Sequence, residues 1–374
     1  MQKILFVFGT RPEAIKLAPV ILGMQLKPEM FSVKICVTGQ HKEMLGSVLD
    51  FFGIKPDFNL EIIKPDQTLF EITANCLIKL NKVLAEYTPD IIFVQGDTTT
   101  AFTGALAGYY KHIKVAHVEA GLRSGDKFSP FPEEINRTLI GHLSDFHFAP
   151  TELAVKNLGL EGIKTNVWNT TNTVIDALLL GLKIIESSKD IRKQCQERFS
   201  FLDFNKKIIL LTAHRRESFG RQFRDICHAI KTIAKEHPEV EIVYPVHLNP
   251  NVQKPVKELL GDIPNIHLIK PLDYPYLIWL MKKSYIILTD SGGIQEEAPA
   301  LGIPVLVLRN VTERTEGVIA GTAKLVGTNP KTIIDTTNII LRSKKAYEKM
   351  ANSINPYGKG EATKNIIKIV GKNT

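Results

Sequence analysis

The sequence predicts an α/β protein built from two doubly wound, Rossmann-like domains that face each other across a cleft. Short runs rich in Ile and Val alternate with longer segments that have helical spacing, and the whole pattern restarts in the second half of the chain. The runs are continuously apolar, which is typical of strands buried on both faces of a parallel sheet. A length of 374 residues also accommodates two domains.

The first half of the chain alternates strands and helices in the order expected of a parallel sheet. Its predicted strands are 3–8, 33–37, 91–94, 115–118 and 146–149. Helical spacing occupies the intervals 14–25, 44–52, 69–86 and 100–110. This βαβα order predicts a doubly wound sheet, whose ligands bind at the carboxyl ends of the strands.

The second half repeats this pattern. Its predicted strands are 208–211, 242–244, 266–269, 286–288, 305–307 and 324–326. A helix at 174–186 and a polar segment at 187–207 precede them, and a final amphipathic helix follows Pro356. We therefore expect an N-terminal domain of 1–169, joined by the C-terminal helix 358–374, and a nucleotide-binding domain of 170–357.

Composition excludes several classes of protein. Hydrophobic residues make up 44% and charged residues 23% of the chain, which excludes disordered, collagen-like and small disulfide-rich proteins. The net charge of +8 suits an acidic ligand, but the basic residues are scattered, so no nucleic-acid partner is expected. The four cysteines form no C-x-x-C pair, and we find neither a signal peptide nor an apolar stretch of about 18 residues. These features predict a cytoplasmic protein with no membrane association.

Gly9-Thr10-Arg11-Pro12 lies where the first strand turns into the first helix. Exposed N–H groups at the start of that helix, with Arg11 and Lys16 nearby, would hold a diphosphate. The alternative is a simple strand-to-helix turn that carries solvated charges.

Acidic residues occur at three places after strands of the first domain. Asp97 comes after strand 91–94, Glu119 after strand 115–118, and Glu133 with Glu134 after two prolines. Asp97 would also suit a helix N-cap, and Glu133 or Glu134 would also favour a helix dipole. Three carboxylates on one sheet edge nevertheless indicate paired acid and base chemistry.

Two motifs of the second domain suit a phosphate and a ribose. His214 follows a strand and precedes two arginines, although the same loop would also form from charges that pair among themselves. Ser291, Gly292 and Gly293 let backbone amides approach phosphate oxygens, and Glu297 is placed to accept hydrogen bonds from a ribose. Arg314 adds positive charge after the next strand. His117 and His247 have no partners at metal-ligand spacing, so we expect structural histidines and no metal.

Taken together, these motifs resemble the non-hydrolysing UDP-N-acetylglucosamine 2-epimerase family. The matching stretches are GTRPEAIK (9–16), GDTTT (96–100), HVEAGLRSGD (117–126), SPFPEEINR (129–137), AHRRESFGR (213–221), YPVHLNPNV (244–252) and DSGGIQEEAP (290–299). The resemblance implies a glycosyltransferase-B-like fold and a homodimer that uses no cofactor. It also implies elimination of UDP from UDP-N-acetylglucosamine (UDP-GlcNAc) to 2-acetamidoglucal. UDP then adds back to give UDP-N-acetylmannosamine (UDP-ManNAc), a source of ManNAc for surface polysaccharide.

By the same resemblance, each candidate residue receives an expected role. The implied catalytic residues are Asp97, Glu119, Glu133 and His214. The implied UDP-binding residues are Arg11, Lys16, Ser291, Gly292, Gly293, Glu297 and Arg314. In some members a second UDP-GlcNAc binds as an activator, and the matching positions here are Gln40, Glu43, Glu134 and His247. Glu43 and Asp66 would repel a diphosphate there, so this second site is expected to be weak or absent.

The sequence departs from the family pattern at four positions. Thr171 replaces a glycine at the interdomain link, Leu272 and Leu277 replace a Gln and an aromatic residue near the uracil, and Thr315 replaces a proline. Three alternatives remain open at this stage: a sister epimerase for another UDP-2-acetamido sugar such as a uronic acid, a glycosyltransferase, and a non-catalytic sensor. The retained carboxylates count against the last two.

Overall fold

The computed structural model describes residues 1–39, 42–62 and 67–372, with only the backbone of 42–44. The chain divides into two compact units. Unit 1 comprises Met1–Leu180 and the C-terminal segment that begins at Tyr357, and unit 2 comprises Gly181–Pro356.

Unit 1 is a parallel sheet flanked by helices. Its described strands are β1 (Gln2–Phe8), β2 (Phe31–Val37), β3 (Phe58–Asn59), β4 (Ile91–Gln95), β5 (Lys114–Val118), β6 (Phe146–Ala149) and β7 (Val167–Asn169), in the order β3-β2-β1-β4-β5-β6-β7. Its helices are α1 (Arg11–Gln25), α2 (Lys42–Phe52), α3 (Leu69–Glu86), α4 (Thr99–Tyr110), α5 (Glu133–Leu143), α6 (Glu152–Leu160), the first part of α7 (Thr173–Ser187), and α16 (Ala362–Lys372).

Unit 2 repeats this architecture with a second parallel sheet. Its described strands are β8 (Lys207–Thr212), β9 (Val240–Pro245), β10 (Ile266–Ile269), β11 (Ile286–Thr289), β12 (Val305–Val307) and β13 (Ala323–Leu325), in the order β10-β9-β8-β11-β12-β13. The helices are α8 (Lys189–Arg198), α9 (Arg221–Glu236), α10 (Pro250–Leu260), α11 (Tyr274–Lys283), α12 (Gly292–Glu297), α13 (Thr315–Ala320), α14 (Pro330–Arg342) and α15 (Lys344–Ala351), with 3-10 turns at Arg216–Ser218 and Ala298–Leu301.

The predicted fold class of two doubly wound parallel sheets is confirmed. The central strands are buried along their length, as the continuous apolar runs indicated; five consecutive residues of β1, from Ile4 to Phe8, have no exposed surface. The prediction missed β3 and β7, which have two and three residues, and it treated the segment that contains α8 as irregular.

The boundary between the units falls within α7. The sequence prediction placed the link before this helix, at Thr170. In the structure Asp176 of α7 accepts hydrogen bonds from the backbone N–H groups of Ala362 and Thr363, at 3.2 and 2.9 Å. Its carboxylate therefore satisfies donors at the start of α16, and α16 in turn packs against α1. These contacts hold the first part of α7 in unit 1.

Thr171 adopts the left-handed backbone conformation, with φ of 66°, even though it is β-branched. The Thr171 side chain lies close to Gly358: a Cβ added to Gly358 would be only 2.6 Å from the Cβ of Thr171. The left-handed turn that was expected of a glycine at this position is thus formed by a threonine. Among the described residues, no helix is long and apolar enough to cross a membrane.

Candidate functional site

The carboxyl ends of β1, β4 and β5 carry the candidate residues of unit 1. These strands are neighbours in the sheet, so the loops that follow them lie side by side. Helix α1 begins directly after β1, with Thr10 as its N-cap and Glu13 completing a capping box. Arg11 is therefore the first residue of the helix, next to its N-terminal N–H groups, and Lys16 lies one turn further on.

Glu119 meets the Lys16 side chain across two of these loops. Its Oε2 forms an ion pair with Lys16 Nζ and accepts a hydrogen bond from Gln95 Nε2, at the end of β4. Glu119 has a φ of 67°, and its side chain is 4% exposed. A non-glycine residue in this conformation costs of order 1–3 kcal/mol, and such strain clusters at functional sites. The structure thus holds this carboxylate at the strand end by a strained backbone and two donors.

Asp97 is oriented by α5. Its Oδ2 accepts a 2.6 Å hydrogen bond from Arg137, and its backbone carbonyl accepts one of 2.9 Å from Asn136 Nδ2. The alternative of Asp97 as helix N-cap is wrong, because Thr98 caps α4 by accepting from the N–H of Ala101. Asp97 is left with a side chain 27% exposed, paired with one buried guanidinium.

Glu133 and Glu134 open α5 but have different surroundings. Glu134 is buried, and its carboxylate accepts from the backbone N–H groups of Ser124 and Gly125 at 3.0 Å, with Arg137 3.3 Å away. Glu133 Oε2 is buried and has no hydrogen-bond partner among the described residues. Glu134 therefore fixes the preceding loop. Glu133, in contrast, has an oxygen to which no group in the described part of the chain donates.

In unit 2, His214 follows β8 and contacts Asp290, which follows the adjacent β11. Asp290 is 1% exposed, and its Oδ2 accepts from the backbone N–H groups of His214 and Arg215 at 2.5 and 2.7 Å. Its Oδ1 lies 3.5 Å from His214 Nδ1. The His214 ring also stacks on His247, with centroids 5.3 Å apart. Burial lowers the pKa of the His214 imidazole, and the charge of Asp290 works in the opposite direction.

The loop after β11 leads into α12, with Ser291 as its N-cap. Gly292 leaves space beside Arg314, whose guanidinium carbon is 3.5 Å from where a Cβ would stand. Arg314 Nε donates to Glu296 at 2.7 Å, and the hydroxyl of Tyr274 donates to Glu297 Oε1 at 3.0 Å. These pairs arrange backbone amides, a guanidinium and a carboxylate at one end of the second sheet, groups that suit a diphosphate and a ribose.

The expected activator positions are only partly described. Gln40 and Asp66 lie outside the described residues, and the side chain of Glu43 does too. Glu134 and His247 have the contacts given above. In the described ranges there is no group of three or more His, Cys, Asp or Glu residues placed to hold a metal.

Sequence reasoning missed the residues that hold the candidates in place. Gln95, Arg137, Tyr274 and Asp290 contact Glu119, Asp97, Glu297 and His214 respectively. A signal existed for two of them, because a polar residue directly at the end of an apolar strand is unusual unless it is used there. Gln95 and Asp290 both occupy such positions, and both are buried.

Comparisons with known proteins show which family the chain resembles over its length. The sequence profile of the UDP-N-acetylglucosamine 2-epimerase family matches residues 24–371. The UDP-N-acetylglucosamine 2-epimerase of Escherichia coli K12 is 50% identical over 373 residues, which cover 100% of this chain and 99% of that one. The Yersinia pestis enzyme of the same name is 53% identical over 368 residues, 98% of each chain.

Solved structures are similar over the same extent. That of UDP-GlcNAc 2-epimerase from Neisseria meningitidis bound to UDP-GlcNAc has a TM-score of 0.92 and 51% identity, covering 99% of this chain and 100% of that one. The Methanocaldococcus jannaschii enzyme in complex with UDP-GlcNAc and UDP has a TM-score of 0.81 and 38% identity, with 99% of each chain covered.

Proposed function

Because the chain belongs to the UDP-N-acetylglucosamine 2-epimerase family, we propose that it interconverts UDP-GlcNAc and UDP-ManNAc by eliminating and re-adding UDP. The enzyme is an isomerase of UDP-GlcNAc. What we propose is the identity of its product and the route by which the product forms. The single observation that carries the route is the set of three carboxylates, Asp97, Glu119 and Glu133, at or beside neighbouring strand ends of unit 1.

The carboxylates supply the proton transfers. One of them removes the C2 proton of the sugar; the electron pair of that C–H bond forms the C1–C2 double bond as the C1–O bond to UDP breaks. A second group then delivers a proton to the opposite face of C2, and the diphosphate oxygen attacks C1. Asp97 and Glu119 each receive donors, from Arg137 and from Lys16 with Gln95. These donors hold each carboxylate in a fixed place, as a positioned base requires.

The second proton-transfer group must be able to hold a proton and release it to carbon. Glu133 fits this task, because its buried Oε2 has no competing partner among the described residues. General acid and base groups of this kind contribute roughly 10²–10⁴-fold each to the rate.

The departing UDP is the largest charge change in the reaction. In unit 2 we assign its diphosphate to His214, Arg314 and the amides at Ser291–Gly293, and its ribose to Glu297. In unit 1, Arg11 and Lys16 add positive charge at the start of α1. Within unit 2, Asp290 and Glu296 hold the N–H group of His214 and the Arg314 guanidinium in advance, so these groups stabilise the expelled diphosphate at little cost in reorganisation.

Three further features belong to the same proposal. The protein is a homodimer, its product supplies ManNAc units for a surface polysaccharide, and it lacks a strong activator site for a second UDP-GlcNAc. The last point predicts a nearly hyperbolic dependence of rate on UDP-GlcNAc, and conversion of UDP-ManNAc supplied alone. Sigmoidal kinetics, with no reverse reaction until traces of UDP-GlcNAc are added, would contradict it.

The proposal is tested by incubating the purified protein with UDP-GlcNAc and separating the products by ion-exchange chromatography. We expect UDP-ManNAc to appear until a constant ratio is reached from either direction. The matched control is Asp97→Asn, which keeps the size of the side chain and removes its basicity. Release of free ManNAc with stoichiometric UDP, or no reaction, would contradict the proposed function.

A further inference from the structure

Glu13 is a buried carboxylate that joins two loops of unit 1. The residue is 1% exposed. Its Oε2 accepts from the backbone N–H groups of Gly9 and Thr10, at 3.0 and 2.6 Å, and its Oε1 accepts from the hydroxyl of Thr98 at 2.6 Å. The first two donors lie in the loop before α1, and the third lies in the loop before α4, 85 residues away.

The contact to Thr98 exceeds what a capping box provides. A capping box satisfies donors within one helix start, as at α3, where Thr68 and Glu71 bond to each other. Glu71 is exposed, whereas Glu13 is buried, and burial raises the pKa of the Glu13 carboxyl despite the three hydrogen bonds that its oxygens accept. A cap that needed only helix stability would not require this burial.

The two loops that Glu13 joins carry candidate residues of different kinds. Arg11 begins α1 immediately after Thr10, and Asp97 immediately precedes Thr98. The remainder of the Asp97 loop is fixed from the other side, because His117 Nε2 donates to the carbonyl of Gly96 at 2.7 Å and Arg137 donates to Asp97. Glu13 thus ties this loop to the turn at Gly9 and Thr10, before Arg11.

We infer that Glu13 is a positioning residue. By binding Gly9, Thr10 and Thr98 with one carboxyl group, it sets the position of the Asp97 carboxylate relative to the start of α1 at Arg11. This inference deepens the proposed function and rests on it. A displacement of about 1 Å at a reacting group can cost about 10²-fold in rate, so a tie between two such loops has a direct kinetic consequence.

The test compares variants of Glu13 and of Thr98. Glu13→Ala removes all three contacts, and we expect kcat to fall about 10- to 100-fold and UDP to bind more weakly. Thr98→Val removes the arm to the Asp97 loop together with the side-chain cap of α4, and it leaves the amides of Gly9 and Thr10 on Glu13. We therefore expect kcat to fall while UDP affinity stays within about 2-fold of wild type. In the double variant the loss of kcat should be smaller than the product of the two single losses, because both changes break the same bond between Glu13 and Thr98.

Two conservative variants should keep the bond between residues 13 and 98. Glu13→Gln can place its oxygen on the amides of Gly9 and Thr10 and its amide on the Thr98 hydroxyl, which then accepts. Thr98→Ser keeps both the cap of α4 and the bond to Glu13. Both should retain kcat within about 3-fold of wild type.

The matched control is Glu71→Ala, which opens the capping box of α3 without touching either loop. It should lower the melting temperature and leave kcat unchanged. If Glu71→Ala and Glu13→Ala lower kcat equally, or if Glu13→Gln is as impaired as Glu13→Ala, the inference is wrong.

Hydrogen exchange separates the inference from the proposed function. In wild type the amides of Gly9 and Thr10 should be protected, and in Glu13→Ala these amides and those of 96–98 should exchange faster, whatever reaction the protein performs. A wild-type protein without epimerase activity would overturn the proposed function. Exchange rates unchanged by Glu13→Ala would overturn the positioning role.

Discussion

Thr171 offers a test of how strain is distributed near the junction of α7 and α16. It combines a φ of 66° with a branched side chain, and its Oγ1 is buried with no hydrogen-bond partner among the described residues. A Cβ added to Gly358 would also be 2.6 Å from both the Cβ and the Oγ1 of Thr171. We predict that Thr171→Gly stabilises the protein.

The magnitude follows from four contributions. Holding a residue with a Cβ in the left-handed region costs about 1–2 kcal/mol, and a buried hydroxyl without a partner costs about 1–3 kcal/mol. Against these, glycine adds about 0.5–1 kcal/mol of unfolded-state entropy, and the lost carbon atoms remove about 1.5 kcal/mol of burial. The expected net stabilisation of Thr171→Gly is about 1 kcal/mol. Thr171→Ala, which keeps the Cβ, should gain less.

The assay is urea unfolding followed by the fluorescence of Trp168, in a Trp279→Phe background so that only unit 1 is observed. The matched control is Thr170→Gly, because Thr170 is buried and has no left-handed backbone. This change loses the same burial and entropy with no strain to relieve, so it should destabilise by about 2 kcal/mol. Gly358→Ala should be strongly destabilising in wild type and less so beside Thr171→Gly, since the clash is then gone. A Thr171→Gly protein less stable than wild type by 1 kcal/mol or more would refute the strain argument.

Three further predictions concern the site and its surroundings. Asp97→Asn, Glu119→Gln and Glu133→Gln should each lower kcat by at least about 10²-fold with unchanged circular dichroism; a variant with near wild-type turnover removes that residue from the mechanism. Tyr274→Phe deletes the donor to Glu297 and should weaken UDP binding about 5-fold by calorimetry, whereas Tyr276→Phe, whose hydroxyl is 3.5 Å from Gln194, should not. Burial opposes ionisation of Glu313, but the hydrogen bonds from Arg309 lower the pKa of Glu313 to about 2. This carboxylate therefore stabilises the fold above pH about 4.3 and loses that contribution as the pH falls toward 2. The stability difference between wild type and Glu313→Gln should shrink by about 1 kcal/mol between pH 6 and pH 3, with the carboxylate's partial exposure allowed for, and an unchanged difference would contradict the ion pair.

The extent to which sequence predicted the fold depends on how much apolar surface each element buries. Strands such as β1 and β4 were predicted within one or two residues, because they are continuously apolar. β3 and β7 are too short for any periodicity to appear. Helix α8 has the sequence KDIRKQCQER and buries only Cys195, so its apolar face is too thin to distinguish it from a loop.

Sequence predicted some residues of the candidate site and not their partners. Asp97, Glu119 and His214 were predicted because each follows an apolar strand, and sheet topology then brings strand ends together. Their partners are not local in sequence: Arg137 is 40 residues from Asp97, and Glu13 is 85 residues from Thr98. Such pairs depend on the packing of α5 and α1 over the sheet, which local periodicity does not specify.

The central claim is that epimerisation proceeds by removal and return of the C2 proton. The most direct measurement is proton NMR of UDP-GlcNAc incubated with the wild-type protein in D₂O. We predict that the C2 hydrogen is replaced by deuterium in the UDP-ManNAc that forms, and in the UDP-GlcNAc that remains once the reaction has reversed. Epimerisation with the original hydrogen retained at C2 would contradict the claim.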